Sequence, residues 1–578
     1  VGALAEYKTG PWFFQSGIYS NDIDLEFGGF DAGIAFGAGA PVTLRAEPRA
    51  GVAFLGWSGS CSGADPEVHL TLDAAASCTA SFKAPIIVTT VNDVLAVDGL
   101  CALREAIDNA NADAVVHADC AGGDGTDVIE LPSGDLPLRI PPSGASNNNQ
   151  DGDLDVSSAI VLRGAGTTAT TIQFPVWSWS PHFYRYCPTC FDPTRHRVFE
   201  VLPGGNLTVT DLTVRNAHAS SGGGIVSQGR LVLQRVSVHG NRASEGAGGG
   251  IYVAGGTAEI IDSTLRSNAA SGVGGGLVAF GSASVATRGG TVQANAASSG
   301  AGFLFATDSS VSMRDSTISA NLATEVGGGL YDASTGLIDL VRVTVVANRA
   351  SNIAGLYGGP VVGGSVLAGN TEWDGEARQC TSVINRLSGA PNLLTSTLGC
   401  AYNTSTTIVA VNPGLGPLSD NGGPTLSHAV LAGSPPIDRY TCMAADQRGV
   451  ARPQDGNADG TDRCDIGAFE RSVTTVEEIE VQAEAGVAVT TDDTGDGTSE
   501  ADPVETTLTS PVAGPVIITE NDSGGTGPGD GFDSLGQIVD IDAPSATATD
   551  PLIIVLQLDA SLVPPGVTEQ TIAVFRNG

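Results

Sequence analysis

Positive charge is what this chain has least of. Its 578 residues carry 27 Lys plus Arg against 63 Asp plus Glu, a formal net charge of −36, and Lys8 and Lys83 are the two lysines. A field of that sign repels phosphate backbones and anionic headgroups, so nucleic acid is excluded as a partner and calcium or cationic partners are favoured. Long apolar runs are missing as well. No membrane span or signal peptide can be placed, so no direct membrane insertion is expected and the numbering is expected to begin inside or after a processed precursor. Apolar residues at 3.6 spacing are scarce, which removes helical bundles. At this length three or four units of roughly 100 to 200 residues are expected.

What the chain has instead is a period. Between Asp211 and Asn370 a short motif recurs about every 26 residues: DLTVRN ending at Asn216, RVSVHGN at Asn241, DSTLRSN at Asn268, TVQAN at Asn295, DSTISAN at Asn321, RVTVVAN at Asn348 and VLAGN at Asn370. Small-residue turns such as Gly248 to Gly250 and Gly327 to Gly329 separate the motifs, each followed by a short apolar run. Strand-length segments, tight turns and a fixed period define a coil of short strands stacked on its neighbours, a parallel β-helix.

Ten cysteines fall as neighbours in sequence: Cys61 with Cys78, Cys101 with Cys120, Cys187 with Cys190, Cys380 with Cys400 and Cys442 with Cys464. Five local disulfides and an oxidising compartment are expected. Cys187 and Cys190 also have the spacing of half a zinc site, which His182 and His196 could complete.

Three segments carry resemblances. The stretch around Trp57 in GWSG, closing in TASF, resembles the divergent internalin B-repeat family, which implies a spacer or weak adhesive unit with Trp57 in its core. Cys101-Ala-Leu-Arg-Glu-Ala106, on a helix expected from Cys101 to Asp113, resembles the CSLREA domain, whose family precedes a right-handed β-helix. Leu103, Ala106, Ile107 and Ala110 share one helix face and Arg104, Glu105 and Asp108 the opposite one; such a helix would cover the open strand edges at the coil end. Ala445 to Glu470 resembles the choice-of-anchor Q domain of bacterial surface proteins. No LPxTG motif or membrane helix follows it, so the anchor is expected to be missing or to lie beyond Gly578.

The fold class expected is therefore all-β: a right-handed parallel β-helix with a short N-terminal capping helix, flanked by small β modules. The boundaries expected are 1–84 for the B-repeat-like module, 85–150 for the capping segment and first coils, 151–413 for the repeats, 414–472 for the choice-of-anchor region, 473–503 for an acidic linker and 504–578 for an incomplete β-sandwich.

Four constellations could carry chemistry. Asn216, Asn241, Asn268, Asn295, Asn321 and Asn348 would stack as a structural carboxamide ladder, Asn tolerating the left-handed corner. Asp211, Arg235, Asp262, Arg288, Asp315 and Arg342 would form a column alternating in sign, with Arg288 one residue out of register, requiring a bulge or breaking the ladder. Arg288 between Asp262 and Asp315 would hold both ionised and leave no general acid, so no catalytic residue is assigned. The insertion 174–199 concentrates Trp177, Trp179, Tyr184, Arg185, Tyr186, Arg195 and Arg197 in a chain only 5% aromatic. Aromatic faces with Arg donors suit sugar rings and uronate carboxylates; the same residues could instead fold over the coil as a small core.

Acidic loops at Asn147 to Asp155, at Asp455, Asn457, Asp459 and Asp462, and at Asp492 to Gly497 have the spacing that opens a calcium loop, and equally that of an ordinary turn. No cofactor is required; calcium is the candidate. The reading is a secreted, extracellular or cell-surface rod, structural or adhesive, with polysaccharide, matrix or further copies of itself in a filament or surface layer as partners. The competing class is a polysaccharide lyase or glycoside hydrolase, an analogy of fold.

Overall fold

The computed structural model describes residues 2–6, 15–19, 23–24, 40–47, 53–61, 67–72, 78–141, 148–174, 196–381, 390–404, 407–431, 433–457, 460–472, 474–492, 498, 504–522, 537–544, 546–547 and 551–558. The chain forms two compact units, Val1–Ser244 with Ile251–Glu259, and Glu245–Gly250 with Ile260–Gly578. Both are all-β, with parallel β-helix coils and antiparallel sheets, apart from one helix among the described residues, Leu103–Ala112.

The first unit begins with antiparallel strands. Ala53–Gly59 pairs with Cys78–Lys83, and Phe54 meets Trp57 and Phe82 edge-on at 5.5 and 5.7 Å beside the Cys61–Cys78 disulfide. Trp57 is thus core. The coils follow in parallel register: Thr126–Glu130 beside Ala159–Arg163, then Asn206–Arg215, then Arg230–His239. A second sheet stacks Leu154–Val156, Phe199–Val201, Ile225–Ser227 and Ile251–Ala254.

Within a long strand the inward residues are Leu207 and Val209, then Leu212 and Val214, all buried. The alternation slips by one because Asp211 takes φ +57°, as Arg235 does at +52° one rung on. A left-handed residue bends the strand, so both halves face the interior. Each such Val or Leu contributes about 1.5–3 kcal/mol of burial, the main force holding the coils.

In the second unit Thr264–Arg266, Thr291–Gln293, Ser310–Ser319, Ile338–Val346, Val366–Ala368, Asn392–Leu394 and Thr407–Val409 repeat that sheet. The same left-handed position is held by Asp262, Gly289, Asp315, Arg342 and Gly364. Two three-stranded antiparallel sheets after 474 share the apolar core of Ala483, Leu508, Val516 and Ile518.

The structure decides one open expectation and corrects two. Arg288 is one residue out of register, as expected, and the alternating column breaks there: Gly289 holds that place, at φ +64°, and a Cβ there would collide with the Asp262 carboxylate. Arg288 instead lies opposite Arg314. The ion pairs Arg235–Asp211 and Arg342–Asp315 do form, at 2.6 Å each. Asn216 is not in the ladder either. It pairs in register with the residue before Asn241, takes φ +60° itself and donates to Gln173, while the Ala217 N–H donates to Asn241 Oδ1 at 3.0 Å. The corner conformation belongs to the residue before each ladder Asn, as at Ser267, Ala294, Ala320 and Ala347.

Third, Arg104 and Glu105 are buried rather than outward. Glu105 accepts from the N–H groups of Ala102 and Ala96, closing the helix start. Arg104 pairs with Asp93 at 2.8 Å and donates to the carbonyls of Asn149, Gly152 and Asp153. The helix is therefore pinned to the first coils by a satisfied charge as well as by its apolar face.

Four of the expected disulfides are present, with Cα separations of 5.1 Å for Cys61–Cys78, 4.8 Å for Cys101–Cys120, 4.9 Å for Cys380–Cys400 and 5.9 Å for Cys442–Cys464. Cys187 and Cys190 lie outside the described residues.

Candidate functional site

The polar side chains gather in three places: a carboxylate cluster in the first unit, and in the second the asparagine ladder and a segment laid across the long-strand sheet. In the first unit, Leu154 and Val156 point inward, so Asp155 between them points out, in register with Glu200 on the neighbouring rung. Asp153, Asp155 and Glu200 each bring a carboxylate oxygen within 4.8 Å of the others.

Arg197 bridges two of these carboxylates, lying 3.4 Å from Asp153 Oδ2 and pairing with Glu200, and His196 Nδ1 is 3.3 Å from Asp153 Oδ1. Gly152 makes room for this ring: at φ +64°, a Cβ on it would lie 2.7 Å from His196 Nδ1. Asp155 Oδ2 accepts from the Asn149 N–H at 3.3 Å, while Oδ1 has no hydrogen-bond partner among the described residues although the residue is only 1% exposed. Burial, then the Asp153 charge, push the Asp155 carboxyl up to about 7. Chemically this is a concentrated, sealed set of oxygen donors.

In the second unit the ladder runs through buried carboxamides. The backbone N–H and Nδ2 of Asn268, Asn295, Asn321 and Asn348 donate to the Oδ1 one rung on, with Nδ2 distances of 3.1, 3.0, 2.9 and 2.8 Å, and Asn370 ends the run on Gln379 Oε1 at 2.7 Å. Each Nδ2 from Asn295 onward also donates to a carbonyl of the preceding rung, such as Leu265 or Val292. The donors and acceptors of this column are used internally.

Segment 425–468 covers the outward threonine column of the long-strand sheet. Thr291 donates to the Leu426 carbonyl at 2.5 Å, Thr317 to Gln447 Oε1 at 2.6 Å, and the Ala468 N–H donates to Thr344 Oγ1 at 3.0 Å. Gln447 Nε2 reaches Thr291, Thr425 and the Leu426 carbonyl. His428 Nδ1 lies 2.8 Å from the Gly416 carbonyl and so carries the proton; Nε2 then accepts from Ser319 Oγ at 3.0 Å. Burial holds this imidazole below its ordinary pKa.

Behind the segment, Arg452 pairs with Glu470 at 2.7 Å, both fully buried, and donates to the carbonyls of Asp465 and Gly467. Burial pushes the Glu470 and Asp465 carboxyls upward, against the pull of the Arg452 charge. These residues lie between 445 and 470, and sequence reasoning gave them no role. The signal available was the concentration of Arg, Asp and Glu in an otherwise weakly charged repeat.

Of the residues expected to bind glycans, Trp177, Trp179, Tyr184, Arg185, Tyr186 and Arg195 lie outside the described residues, and Arg197 is placed on the carboxylate cluster. In the expected calcium loop, Asp455 accepts from the N–H groups of Asn457 and Gly460, which closes the loop as a turn on its own carboxylate. Asn457 lines a cleft with Asp438, Arg439 and Arg463; Asp462 is exposed, and Asp459 lies outside the described residues. The loop preceding Asp155 does not open toward an ion with its carbonyls, because Arg104 takes those of Asn149, Gly152 and Asp153. Asn147 and most of the loop at Asp492 lie outside the described residues.

Residues 29–85 match the model of the Divergent InlB B-repeat domain. Among the curated proteins none matches the chain. Similar solved structures include the following two. The crystal structure of pectate lyase Pel9A aligns at 14% identity with a TM-score of 0.32, over 60% of this chain and 88% of that one. The A-module of the Azotobacter vinelandii mannuronan C-5 epimerase AlgE6 aligns at 16% identity with a TM-score of 0.24, over 55% of this chain and 97% of that one.

Proposed function

We propose that the chain is a non-enzymatic extracellular or cell-surface protein of a bacterium, a β-helical scaffold with structural or adhesive duty, of the CSLREA and choice-of-anchor Q kind. The observation carrying this reading is the segment over the second unit. Thr291, Thr317, Ser319 and Thr344, the outward polar row that an extended glycan would use on this sheet, are hydrogen-bonded to the protein's own residues 426–468. The asparagine ladder is likewise spent on rung-to-rung bonds. Adhesive contacts with polysaccharide or matrix then fall to the insertion 174–199, and contacts with further copies to the flanking modules. The local disulfides suit an oxidising exterior, and no helix among the described residues is long and apolar enough to cross a membrane.

A lyase or hydrolase acting on acidic polysaccharide is the competing reading. The Asp155 cluster is the observation that favours it, since a carboxyl raised to about 7 stands among carboxylates. At 1% exposure Asp155 is closed to a sugar chain, which weighs against it.

The test is incubation of purified protein with acidic and neutral polysaccharides plus calcium, followed for retention and for new reducing or unsaturated ends. Retention without new ends, lost in a Trp177→Ala, Trp179→Ala double variant, is expected. New ends would replace the scaffold reading with the enzymatic one.

A further inference from the structure

We propose that Asp153, Asp155 and Glu200 form a binding site for one calcium ion, placed where the chain re-enters the second sheet of the first unit after the insertion. This goes beyond the scaffold reading and does not depend on it.

Geometry comes first. Parallel register sets Asp155 of Leu154–Val156 directly beside Glu200 of Phe199–Val201, and Asp153 enters from the preceding turn. Carboxylate oxygens within 4.8 Å of one another can be bridged by a single ion with oxygen bonds of about 2.3–2.6 Å. Charge comes second. Three carboxylates meet one guanidinium, Arg197, whose contacts go to Asp153 and Glu200, and the His196 ring beside Asp153. With the carboxyls ionised and the imidazole neutral, two negative charges are in surplus, which a divalent cation cancels.

The independent observation is Asp155 Oδ1. A carboxylate oxygen with no hydrogen-bond partner among the described residues, on a residue 1% exposed and beside two further carboxylates, calls for an explanation that a bound cation supplies. The other oxygen is held by the Asn149 N–H, and the Asn149 side chain clamps the Asp155 backbone through Asn149 Oδ1 to N–H at 2.7 Å and Nδ2 to O at 2.8 Å. The strand carrying the carboxylate is therefore fixed before any ion arrives. A donor set made of carboxylate oxygens selects a hard cation of the calcium class over zinc or copper.

The experiment uses the full chain after chelation, titrated with calcium chloride by calorimetry and followed by hydrogen exchange. Expected are a calcium-dependent slowing of exchange in Leu154–Val156 and Phe199–Val201, and loss of affinity by at least about tenfold in Asp155→Asn. Asp455→Asn should leave that response unchanged. Glu200→Gln serves as a second probe if near-ultraviolet circular dichroism shows Asp155→Asn to be misfolded. No slowing at millimolar calcium, equal slowing in wild type and both variants, or a response to zinc with none to calcium would each overturn the assignment.

Discussion

Two buried acidic clusters, one in each unit, are built from the same residue types and finished differently. In the second unit Glu470 accepts from the N–H groups of Gln454 and Asp465 and pairs with Arg452, while Asp465 accepts from the N–H groups of Asp438 and Arg471. In the first, Asp155 keeps one oxygen with no partner among the described residues, beside two further carboxylates. A buried charge is tolerated when its hydrogen bonds are complete and is costly when they are not. Completeness at the carboxylates, not at Arg452, whose Nε is buried with no partner among the described residues, thus separates a cluster whose work is holding the fold from one with capacity left for a ligand.

Breaking the completed cluster should have the largest effect. Arg452→Ala leaves Glu470 buried without its cation and the carbonyls of Asp465 and Gly467 without that donor, a loss of about 3–5 kcal/mol in the second unit. Denaturant unfolding measures it, and a loss below about 1 kcal/mol would mean the network is not a structural keystone.

A smaller effect is expected in the ladder. Asn295→Ala removes the acceptor for two donors of Asn268 and the donor to Asn321, about 1–3 kcal/mol. Asn216→Gly, which keeps the φ +60° corner unstrained and lies outside the ladder, should cost less, within about 1 kcal/mol for the lost bond to Gln173. Equal losses at the two positions would contradict the register described above.

The smallest effect is a pH dependence at His428. Its folded pKa lies below the unfolded value of about 6.5, so the stabilisation is complete above that pH and is lost as pH falls from there toward the folded pKa. The raised Glu470 and Asp465 carboxyls of the same unit contribute with the opposite sign, so the His428 contribution is read as the difference between wild type and His428→Asn: the thermal midpoint of the wild type should lose ground to that variant between about pH 7.5 and 5. An unchanged difference would show that the imidazole takes a proton without disturbing Ser319 or Gly416.

The repeat motif exposed the period, the strand lengths and four cysteine pairs because each depends on neighbours close in sequence or on a spacing repeated many times. The slip at Arg288 is legible from its distance to Asn295, one residue longer than from Asp262 to Asn268 or from Asp315 to Asn321, whereas Asn216 is misplaced by a one-residue slip that the left-handed positions of Asp211 and Asn216 reveal. Arg104 was assigned to a solvent face because helical periodicity marks charge as outward. It cannot see Asp93 and a loop about 45 residues away that consume the charge.

Sequence by itself determined that this chain coils into a β-helix with a capping helix and β modules, because an apolar pattern repeated at fixed spacing leaves the strands no other common interior. Only tertiary structure decided which polar groups remain available. That depends on pairings such as Thr317 with Gln447 and Asp155 with Glu200, between residues far apart in the chain and brought together only when coils stack or a segment folds back over them.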